Sequence, residues 1–188
     1  FCATCDGPFY KGKQVAVVGG GNSATEESLL LTKFAEKVTM LVRSGEFRAT
    51  QIIQESVLNH PKIEVRWHTE VKEFTGEESK LTKLRVMNSQ TGFEEELPMD
   101  GVFIFIGLDP NTEFLDGSGV LWDDWGFIVT GHDLLHSSER LDGYQEREPH
   151  LLETSIPGIF AAGDVRDKST KQVASAAGEG ASAALMIR

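Results

Sequence analysis

The chain has 188 residues, of which 40% are hydrophobic, and a formal net charge of −11 from 29 acidic and 18 basic residues. This length and apolar content suffice for a buried core, whereas the excess of acids repels nucleic acid and anionic membranes and argues against both as partners. No apolar run approaches the roughly 20 residues of a membrane span, and the first residues lack a signal-peptide pattern, so we expect a cytoplasmic protein.

The first motif is a Cys-x-x-Cys pair, Cys2 and Cys5, followed at once by Asp6. Zinc would need two more ligands from five scattered histidines, and a disulfide across so short a loop adds little stability. We therefore expect no metal site, and the pattern favours a redox pair that alternates between dithiol and disulfide. Asp6 offers a carboxyl that could move a proton as the disulfide opens, although a turn-forming role before a Gly-Pro pair explains it equally well.

A strand, a helix and a second strand are predicted next. A continuous apolar run at residues 14–18 is typical of a buried parallel strand, and it ends in three glycines. Residues 23–35 have helical spacing and begin with a capping-box pattern, and residues 37–42 form the second strand. This strand-helix-strand unit is the elementary piece of a doubly wound α/β fold.

The glycines belong to a G-x-G-x-x-A motif, a variant of the dinucleotide-binding fingerprint. Gly19 allows the tight turn, Gly21 allows the backbone to approach a pyrophosphate, and Ala24 lets the helix lie close to the strand. The helix start also favours an anion. We expect a nicotinamide dinucleotide here, the alternative being a glycine turn that only joins strand to helix.

Two arginines near the end of the second strand bear on the choice of nucleotide. Arg43 occupies the position that reads the adenosine ribose, and Arg48 lies close to it in sequence. Arginine matches phosphate geometry, so the pair favours the 2′-phosphate of NADPH. The negative charge of Glu46 weakens the positive field of the two arginines. The alternative interpretation is that both arginines are solvated surface residues.

The remaining elements up to residue 106 combine further parallel strands with an antiparallel excursion. They are a helix at residues 51–58, strands at residues 63–67 and 71–74, a hairpin of residues 84–87 with 93–97 around a turn at 88–92, and a buried strand at 101–106.

The last part of the chain differs from the rest in composition and hydrophobic pattern. Residues 132–150 are polar, contain five acids and lack periodicity, so we predict a loop. An apolar run at residues 159–164 predicts a last buried strand that ends in a Gly-Asp turn. Residues 170–188 are helical in pattern, with unusually small side chains that fit either a bound cofactor or a neighbouring strand.

Five motifs, in this order, closely resemble those of the low-molecular-weight thioredoxin reductases. They are CATCDG at residues 2–7, VVGGGNSATEE at 17–27, FRA at 47–49, IGLDPNT at 106–112 and SIPGIFAAGDV at 155–165. The resemblance covers nearly the whole chain. It implies an α/β fold in which residues 1–110 form a Rossmann-like NADPH-binding domain with an antiparallel excursion, and residues 111–188 form the C-terminal part of a second Rossmann-like, FAD-binding domain.

The resemblance also implies an activity: electrons pass from NADPH to FAD, then to the Cys2–Cys5 disulfide, and finally to thioredoxin or a thioredoxin-like protein. Cys5 is then the residue that faces the flavin, Cys2 attacks the substrate disulfide, and Asp6 is the acid/base group. A homodimer is implied as well. The implied cofactor-binding residues are Gly19, Gly21, Asn22, Ser23, Ala24, Glu26, Arg43 and Arg48 for the nicotinamide nucleotide, and Gly163, Asp164, Gln172 and Val173 for FAD.

The chain departs from the family pattern at several points. Ser44 stands where the family usually has an arginine, so one phosphate contact is missing, and Lys171 replaces a common arginine, a change we expect a charged surface to tolerate. Residues 132–150 are longer than in typical members, either as a solvated loop or as a partner contact. The first half of the FAD domain is absent, so we expect a fragment that is not competent alone.

Two alternative functions stay open. A flavoprotein reductase of a peroxiredoxin shares these motifs, and a ferredoxin-dependent relative is disfavoured by the glycine turn and Arg43. The other class is a non-catalytic NAD(P)-binding module in which the two cysteines are incidental.

Overall fold

The computed structural model describes residues 2–136, 141 and 143–187, and the chain divides into two compact units, residues 1–107 and 108–188. None of the helices in these described ranges combines the length and the apolar character that a bilayer crossing demands.

In its described part, residues 2–107, unit 1 contains three α-helices, one 3-10 helix and seven strands. In chain order they are α1 (Ala3–Asp6), the 3-10 helix Gly7–Tyr10, β1 (Gln14–Val18), α2 (Asn22–Leu31), β2 (Lys37–Val42), α3 (Gln51–Leu58), β3 (Ile63–Trp67), β4 (Thr69–Glu77), β5 (Lys80–Asn88), β6 (Glu94–Pro98) and β7 (Gly101–Ile104). The predicted bounds of β1, β2, β3 and α3 are confirmed.

A four-stranded parallel sheet of order β3-β2-β1-β7 carries the unit. Its central strand β1 is buried on both faces: Val15 and Val17 belong to a core cluster that includes α2, whereas Ala16 packs with Leu41 and Leu84 in a second cluster. Burial on both faces explains why the strand is a continuous apolar run in the sequence.

The predicted antiparallel excursion is a separate three-stranded sheet of order β4-β5-β6. Leu84 pairs with Leu97 and Met87 with Glu94, around a turn in which Asn88 Oδ1 accepts the backbone N–H groups of Gln90 and Thr91. The hairpin and its turn are therefore as predicted, and the fold class is α/β with Rossmann-like topology.

Unit 2 has little regular structure in the residues that the structure describes. It contains short 3-10 helices at Glu113–Leu115, Gly131–His136 and Gly163–Val165, and one long helix, α4 (Val173–Met186). The strand predicted at residues 159–164 is wrong. Phe160 forms only an isolated bridge to Glu153, and the described residues of this unit offer it no ladder of neighbouring strands to extend.

The polar stretch at residues 132–150 is only partly the loop that was predicted. It begins within the 3-10 helix Gly131–His136, and residues 143–150 consist of turns and irregular backbone. Residues 137–140 and 142 lie outside the described part of the chain. A small apolar cluster of Val120, Ile128 and Ala161 forms the core of the unit.

Candidate functional site

The Cys-x-x-Cys pair occupies one helical turn. Cys2 is the N-cap residue of α1, with extended backbone at φ −143°, and the backbone N–H of Cys5 donates to Cys2 Sγ at 3.2 Å. Cys2 is half-buried and Cys5 is exposed, and both are thiols in this structure. A hydrogen bond between the two side chains places the sulfur atoms close together in this turn.

The electrostatic surroundings distinguish the two thiols. The pKa of Cys5 is raised, chiefly by its hydrogen bond with the Cys2 side chain, then by burial and by the negative charges of Cys2 and Asp6. The N–H donated to Cys2 Sγ stabilises negative charge on that sulfur instead. The turn therefore disfavours the thiolate of Cys5.

Asp6 is exposed at the end of α1 and makes no side-chain capping bond to the 3-10 helix that follows. The carboxylate of Asp6 therefore makes no capping hydrogen bond to this helix. The turn itself is fixed by packing: Ala3 is fully buried, and a methyl group at Gly7 would lie 2.9 Å from the ring of Phe34 on the segment after α2.

The glycine motif has the geometry that its spacing predicts. Gly19 has φ +138°, and a Cβ there would lie 2.2 Å from the carbonyl oxygen of Phe105 and 3.1 Å from Ala24 Cβ. Only glycine fits this close crossing of β1, α2 and the end of β7. Ala24 is fully buried, which is the close helix–strand contact predicted for the third motif position.

The start of α2 differs from the prediction, and the capping box is wrong. The helix begins at Asn22 with Gly21 as an extended N-cap, and no side chain caps its first amides. Thr25 Oγ1 instead donates back to the carbonyl oxygens of Gly21 and Asn22. A methyl group at Gly21 would meet nothing within 4 Å, so there is open space beside this helix start. The uncapped backbone N–H groups of the first turn of α2 could therefore bind the pyrophosphate of a nucleotide.

The other predicted nucleotide residues lie on the first turns of α2. Ser23 and Glu26 are both exposed. Asn22 Oδ1 accepts the backbone N–H of Thr50 at 2.9 Å, which ties the glycine turn to the start of α3. Asn22 thus has a structural role in addition to the one predicted.

The arginine segment lies beside the glycine turn. Arg43 and Arg48 are exposed, and the backbone N–H of Arg48 donates to the carbonyl of Gly20 at 2.8 Å. Buried Phe47 anchors the segment with its ring edge-on to Trp67, at 4.6 Å between centroids. The structure therefore brings the glycine motif and the arginines together, as expected of the carboxyl ends of adjacent parallel strands.

Sequence reasoning missed His68, which follows β3 and reaches the same segment. The backbone N–H of His68 donates to the Ser44 carbonyl at 3.1 Å, and the imidazole ring lies against Gly45. Nothing in the sequence connects these positions, because the pairing of β2 with β3 creates the contact.

In unit 2, the predicted Gly-Asp turn is held by two charged side chains that the sequence did not single out for this role. The N–H of Gly163 donates to Glu179 Oε2 at 2.7 Å, and Glu179 also forms an ion pair with Arg166 at 2.8 Å. Arg166, as the largest cause, together with the backbone N–H of Gly163 and the charge of Lys171, lowers the pKa of Glu179. Glu179 therefore stays charged and holds the turn from the α4 side.

Lys171 holds the other side of this turn. Its Nζ donates to the carbonyls of Asp164 at 2.7 Å and Arg166 at 2.8 Å, and lies 4.0 Å from the centre of the Phe127 ring. Burial is the main cause that lowers its pKa. Lys171 is thus half-buried and bonded to backbone, rather than a residue of an open charged surface.

The start of α4 is exposed and has no side-chain cap. Gln172 is its N-cap without a side-chain capping bond, and Val173 is 88% exposed. Gly163 has φ +80°, and a Cβ there would lie 3.3 Å from Ala176 Cβ, so part of the small-residue pattern of α4 reflects close packing of the turn. The exposed carboxylate of Asp164 and the uncapped helix start together offer polar groups for an FAD molecule.

A metal centre has no support in the described part of the chain, where no group of three or more His, Cys, Asp or Glu side chains is arranged to hold an ion.

Comparison with known proteins agrees with these features. The sequence profile described as pyridine nucleotide-disulphide oxidoreductase matches residues 1–180. Thioredoxin reductase from Listeria monocytogenes is 39% identical over 180 residues, covering 96% of this chain and 50% of that protein. Mitochondrial thioredoxin reductase 1 from Arabidopsis thaliana is 43% identical over 188 residues, covering 98% of this chain and 45% of that protein.

Solved structures give the same result. The crystal structure of thioredoxin reductase from Streptococcus pyogenes matches with a TM-score of 0.80 at 36% identity, and covers 100% of this chain and 55% of that chain. The chain spans about half the length of the curated relatives it matches. The chain belongs to the pyridine nucleotide-disulphide oxidoreductase family, and the resemblance to thioredoxin reductases predicted from its motifs is confirmed.

Proposed function

We propose that the whole protein is an NADPH-dependent flavoprotein that reduces a disulfide in thioredoxin or a thioredoxin-like protein. The observation that carries this proposal is the redox-capable Cys2–Cys5 turn in the same compact unit as an open dinucleotide-type glycine turn. Family membership supports it. The cytoplasm and a homodimer are the compartment and assembly that we propose with it, on the sequence and the resemblance alone.

The NADPH site uses residues of unit 1. The uncapped amides after Gly21 bind the pyrophosphate, Ser23 and Glu26 lie along the nucleotide, and Arg43 and Arg48 bind the 2′-phosphate. Their exposure and the open space at Gly21 support this assignment. Residues 1–110 are thus the NADPH-binding domain in our proposal.

The FAD site includes residues of unit 2. Gly163 lets the backbone turn, Asp164 binds the ribityl chain, and Gln172 with Val173 lines the isoalloxazine ring at the start of α4. The turn held by Glu179 and Lys171 supports this assignment. Residues 111–188 are thus the C-terminal part of the FAD-binding domain.

The reaction at the cysteines is a two-step thiol–disulfide exchange. The Cys2 thiolate attacks one sulfur of the substrate disulfide, forming a mixed disulfide, and the second substrate sulfur leaves as a thiolate that takes a proton. Cys5 then loses its proton and attacks the Cys2 sulfur, releasing the substrate dithiol and leaving a Cys2–Cys5 disulfide. Asp6 is the carboxyl that exchanges these protons.

When bound, NADPH and FAD supply the two electrons that return the Cys2–Cys5 disulfide to the dithiol. The raised pKa of Cys5 supports the division of labour between the thiols, because it keeps Cys5 protonated while Cys2 attacks. Cys5 is also the exposed thiol of the pair, which suits the residue that meets the flavin.

A peroxiredoxin-type substrate is the alternative within the same chemistry, and a non-catalytic nucleotide-binding module is the alternative outside it. The proposal and the second alternative differ in what they expect of cysteine variants. In the whole protein, Cys2→Ser and Cys5→Ser should each lower thioredoxin reduction by at least about 10³-fold, since each removes a reacting sulfur. Reduction of the flavin by NADPH should persist.

Thr4→Ser is the matched control, because Thr4 is exposed in the same turn but carries no reacting group. It should keep nearly full activity. Unchanged thioredoxin reduction in both cysteine variants would show that the cysteines are incidental. Activity with a peroxiredoxin and none with thioredoxin would assign the alternative substrate.

A further inference from the structure

His68 has an unusual backbone that the fold holds in place. It joins β3 to β4 with φ +54°, a left-handed conformation that is uncommon outside glycine. The backbone N–H of His68 donates to the Ser44 carbonyl at 3.1 Å, and the backbone carbonyl of His68 accepts the backbone N–H of Ser89 at 2.7 Å. Such backbone outliers persist where the surroundings fix them, and they cluster at functional sites.

The imidazole of His68 lies against the turn that follows β2. A methyl group at Gly45 would lie 2.8 Å from both Cε1 and Nε2 of this ring. The adjacent Ser44 cannot readily supply a donor of its own, because its hydroxyl already donates to the Glu46 carbonyl at 2.8 Å. The imidazole ring of His68 thus lies beside Gly45, next to Ser44, whose hydroxyl is already hydrogen-bonded to Glu46.

The same turn adjoins the proposed pyrophosphate site. The backbone N–H of Arg48 donates to the Gly20 carbonyl. The pKa of Glu70 is lowered chiefly by its hydrogen bond with Lys72, and the charge of the exposed Arg43 also contributes, so Arg43 lies near Glu70. Two exposed arginines therefore belong to the segment that follows β2, and one imidazole lies against it. Lys72 pairs with Glu70 at 2.8 Å, so Glu70 is partly neutralised there.

We propose that His68 is a specificity-determining residue for the nucleotide: a ring N–H of its imidazole donates to the 2′-phosphate and supplies the contact that Ser44 does not. This inference rests on the proposed function, because it concerns the NADPH site of unit 1. It assigns the recognition of the 2′-phosphate to three side chains, namely Arg43, Arg48 and His68.

The test compares two probes that differ by the 2′-phosphate. Affinities of the whole protein for 2′,5′-ADP and for 5′-AMP are measured by isothermal titration calorimetry. His68→Asn should weaken 2′,5′-ADP binding roughly tenfold, the effect of losing one hydrogen bond to a charged group, and leave 5′-AMP binding unchanged. Asparagine tolerates the left-handed backbone, and His68→Gln is the second variant if His68→Asn does not fold.

His60→Asn is the matched control, since His60 follows α3 in the same unit and its ring accepts the backbone N–H of nearby Lys62. It should change neither affinity. In the double variant Ser44→Arg with His68→Asn, the 2′,5′-ADP affinity should return to near that of the parent, because the arginine restores a cation at this turn. Failure to recover would mean that His68 acts only through the shape of the turn, and would overturn the inference.

Three other outcomes are decisive. If the parent protein prefers 2′,5′-ADP and His68→Asn keeps that preference, the inference is wrong while the proposed function stands. An equal loss for both probes would reduce His68 to a structural residue and also overturn it. If the parent protein does not distinguish the probes, NADPH selectivity itself fails, and the inference fails with it.

Discussion

The two units of this chain position their functional residues by different physical means. In unit 1 the glycine turn is fixed by an apolar parallel sheet and by the close approach of backbone at Gly19. Unit 2 has a small apolar core, and its turns are held by two carboxylates of low exposure, Glu153 and Glu179. Close backbone packing therefore fixes the glycine turn of unit 1, whereas charged side chains fix the turns of unit 2.

Glu153 shows how far unit 2 depends on charge. The residue is 1% exposed and accepts the backbone N–H groups of His150 at 2.9 Å and Gly158 at 2.7 Å. Arg147 adds two hydrogen bonds at 2.7 Å. These partners, with Arg147 as the largest cause, lower the pKa of Glu153 to about 2. A buried charge of this kind stabilises the fold only while all its partners are present.

The largest effect is expected for Gly19→Ala in unit 1. The new Cβ would lie 2.2 Å from the Phe105 carbonyl oxygen, so backbone must move. We expect a loss of at least about 4 kcal/mol in the free energy of unfolding. Hydrogen exchange of unit 1 peptides, followed by mass spectrometry, measures it.

Gly21→Ala is the control for this substitution. It places a methyl group in open space at φ −89° and should cost less than about 1 kcal/mol in stability. The same methyl group lies where the pyrophosphate approaches, so NADPH affinity should fall. Equal stability losses in the two variants would contradict the steric account of unit 1.

In unit 2, Glu153→Gln is expected to lower the free energy of unfolding by about 3 kcal/mol, the value of a pKa shift from 4.5 to about 2. Hydrogen exchange of unit 2 peptides during urea unfolding measures this loss, because tryptophan fluorescence would also report on Trp67 of unit 1. Glu146→Gln, an exposed carboxylate of the same segment, should leave stability unchanged. A small effect of Glu153→Gln would mean that apolar packing, not charge, holds the segment.

The same pKa predicts an acid-sensitive unit 2. The folded-state pKa of Glu153 is below its ordinary value, so its contribution is complete above pH 4.5 and is lost as the pH falls towards 2. Unit 2 peptides should therefore gain hydrogen exchange over this window, and Glu153→Gln should remove most of the change. An acid response unaltered by this substitution would argue that other carboxylates dominate.

A smaller effect is expected for Glu179→Gln. The amide keeps the size of the carboxylate but loses the charge that pairs with Arg166, so the Gly163 turn should loosen by about 2 kcal/mol. In the whole protein we expect FAD to dissociate roughly tenfold more readily, as measured by flavin release during dialysis. Gln172→Glu, at the exposed start of α4, would add a negative charge at the proposed flavin site without changing the Gly163 turn.

The features of unit 1 were predictable because each leaves a local trace in the sequence. A strand buried on both faces is a continuous apolar run, as in β1 and β2, and a backbone crossing such as that at Gly19 requires glycine. The Cys-x-x-Cys turn likewise follows from spacing within one helical turn.

The strand pairing and the buried carboxylates of unit 2, like the contact of His68, were not predictable in this way. The apolar run at residues 159–164 has the composition of a strand, but a strand also needs a neighbour, which composition does not encode. A single glutamate such as Glu153 or Glu179 is indistinguishable from a surface acid until the chain folds around it. His68 meets Gly45 only because β2 and β3 pair.

The central claim is that a nucleotide bound at the glycine turn delivers electrons to Cys2 and Cys5. Its most direct test is thiol alkylation of the oxidised whole protein, before and after anaerobic addition of NADPH, with mass spectrometry of the peptide that contains both cysteines. We predict that NADPH converts this peptide from an unlabelled disulfide to a doubly alkylated dithiol. A peptide that stays unlabelled while the flavin is reduced would contradict the claim.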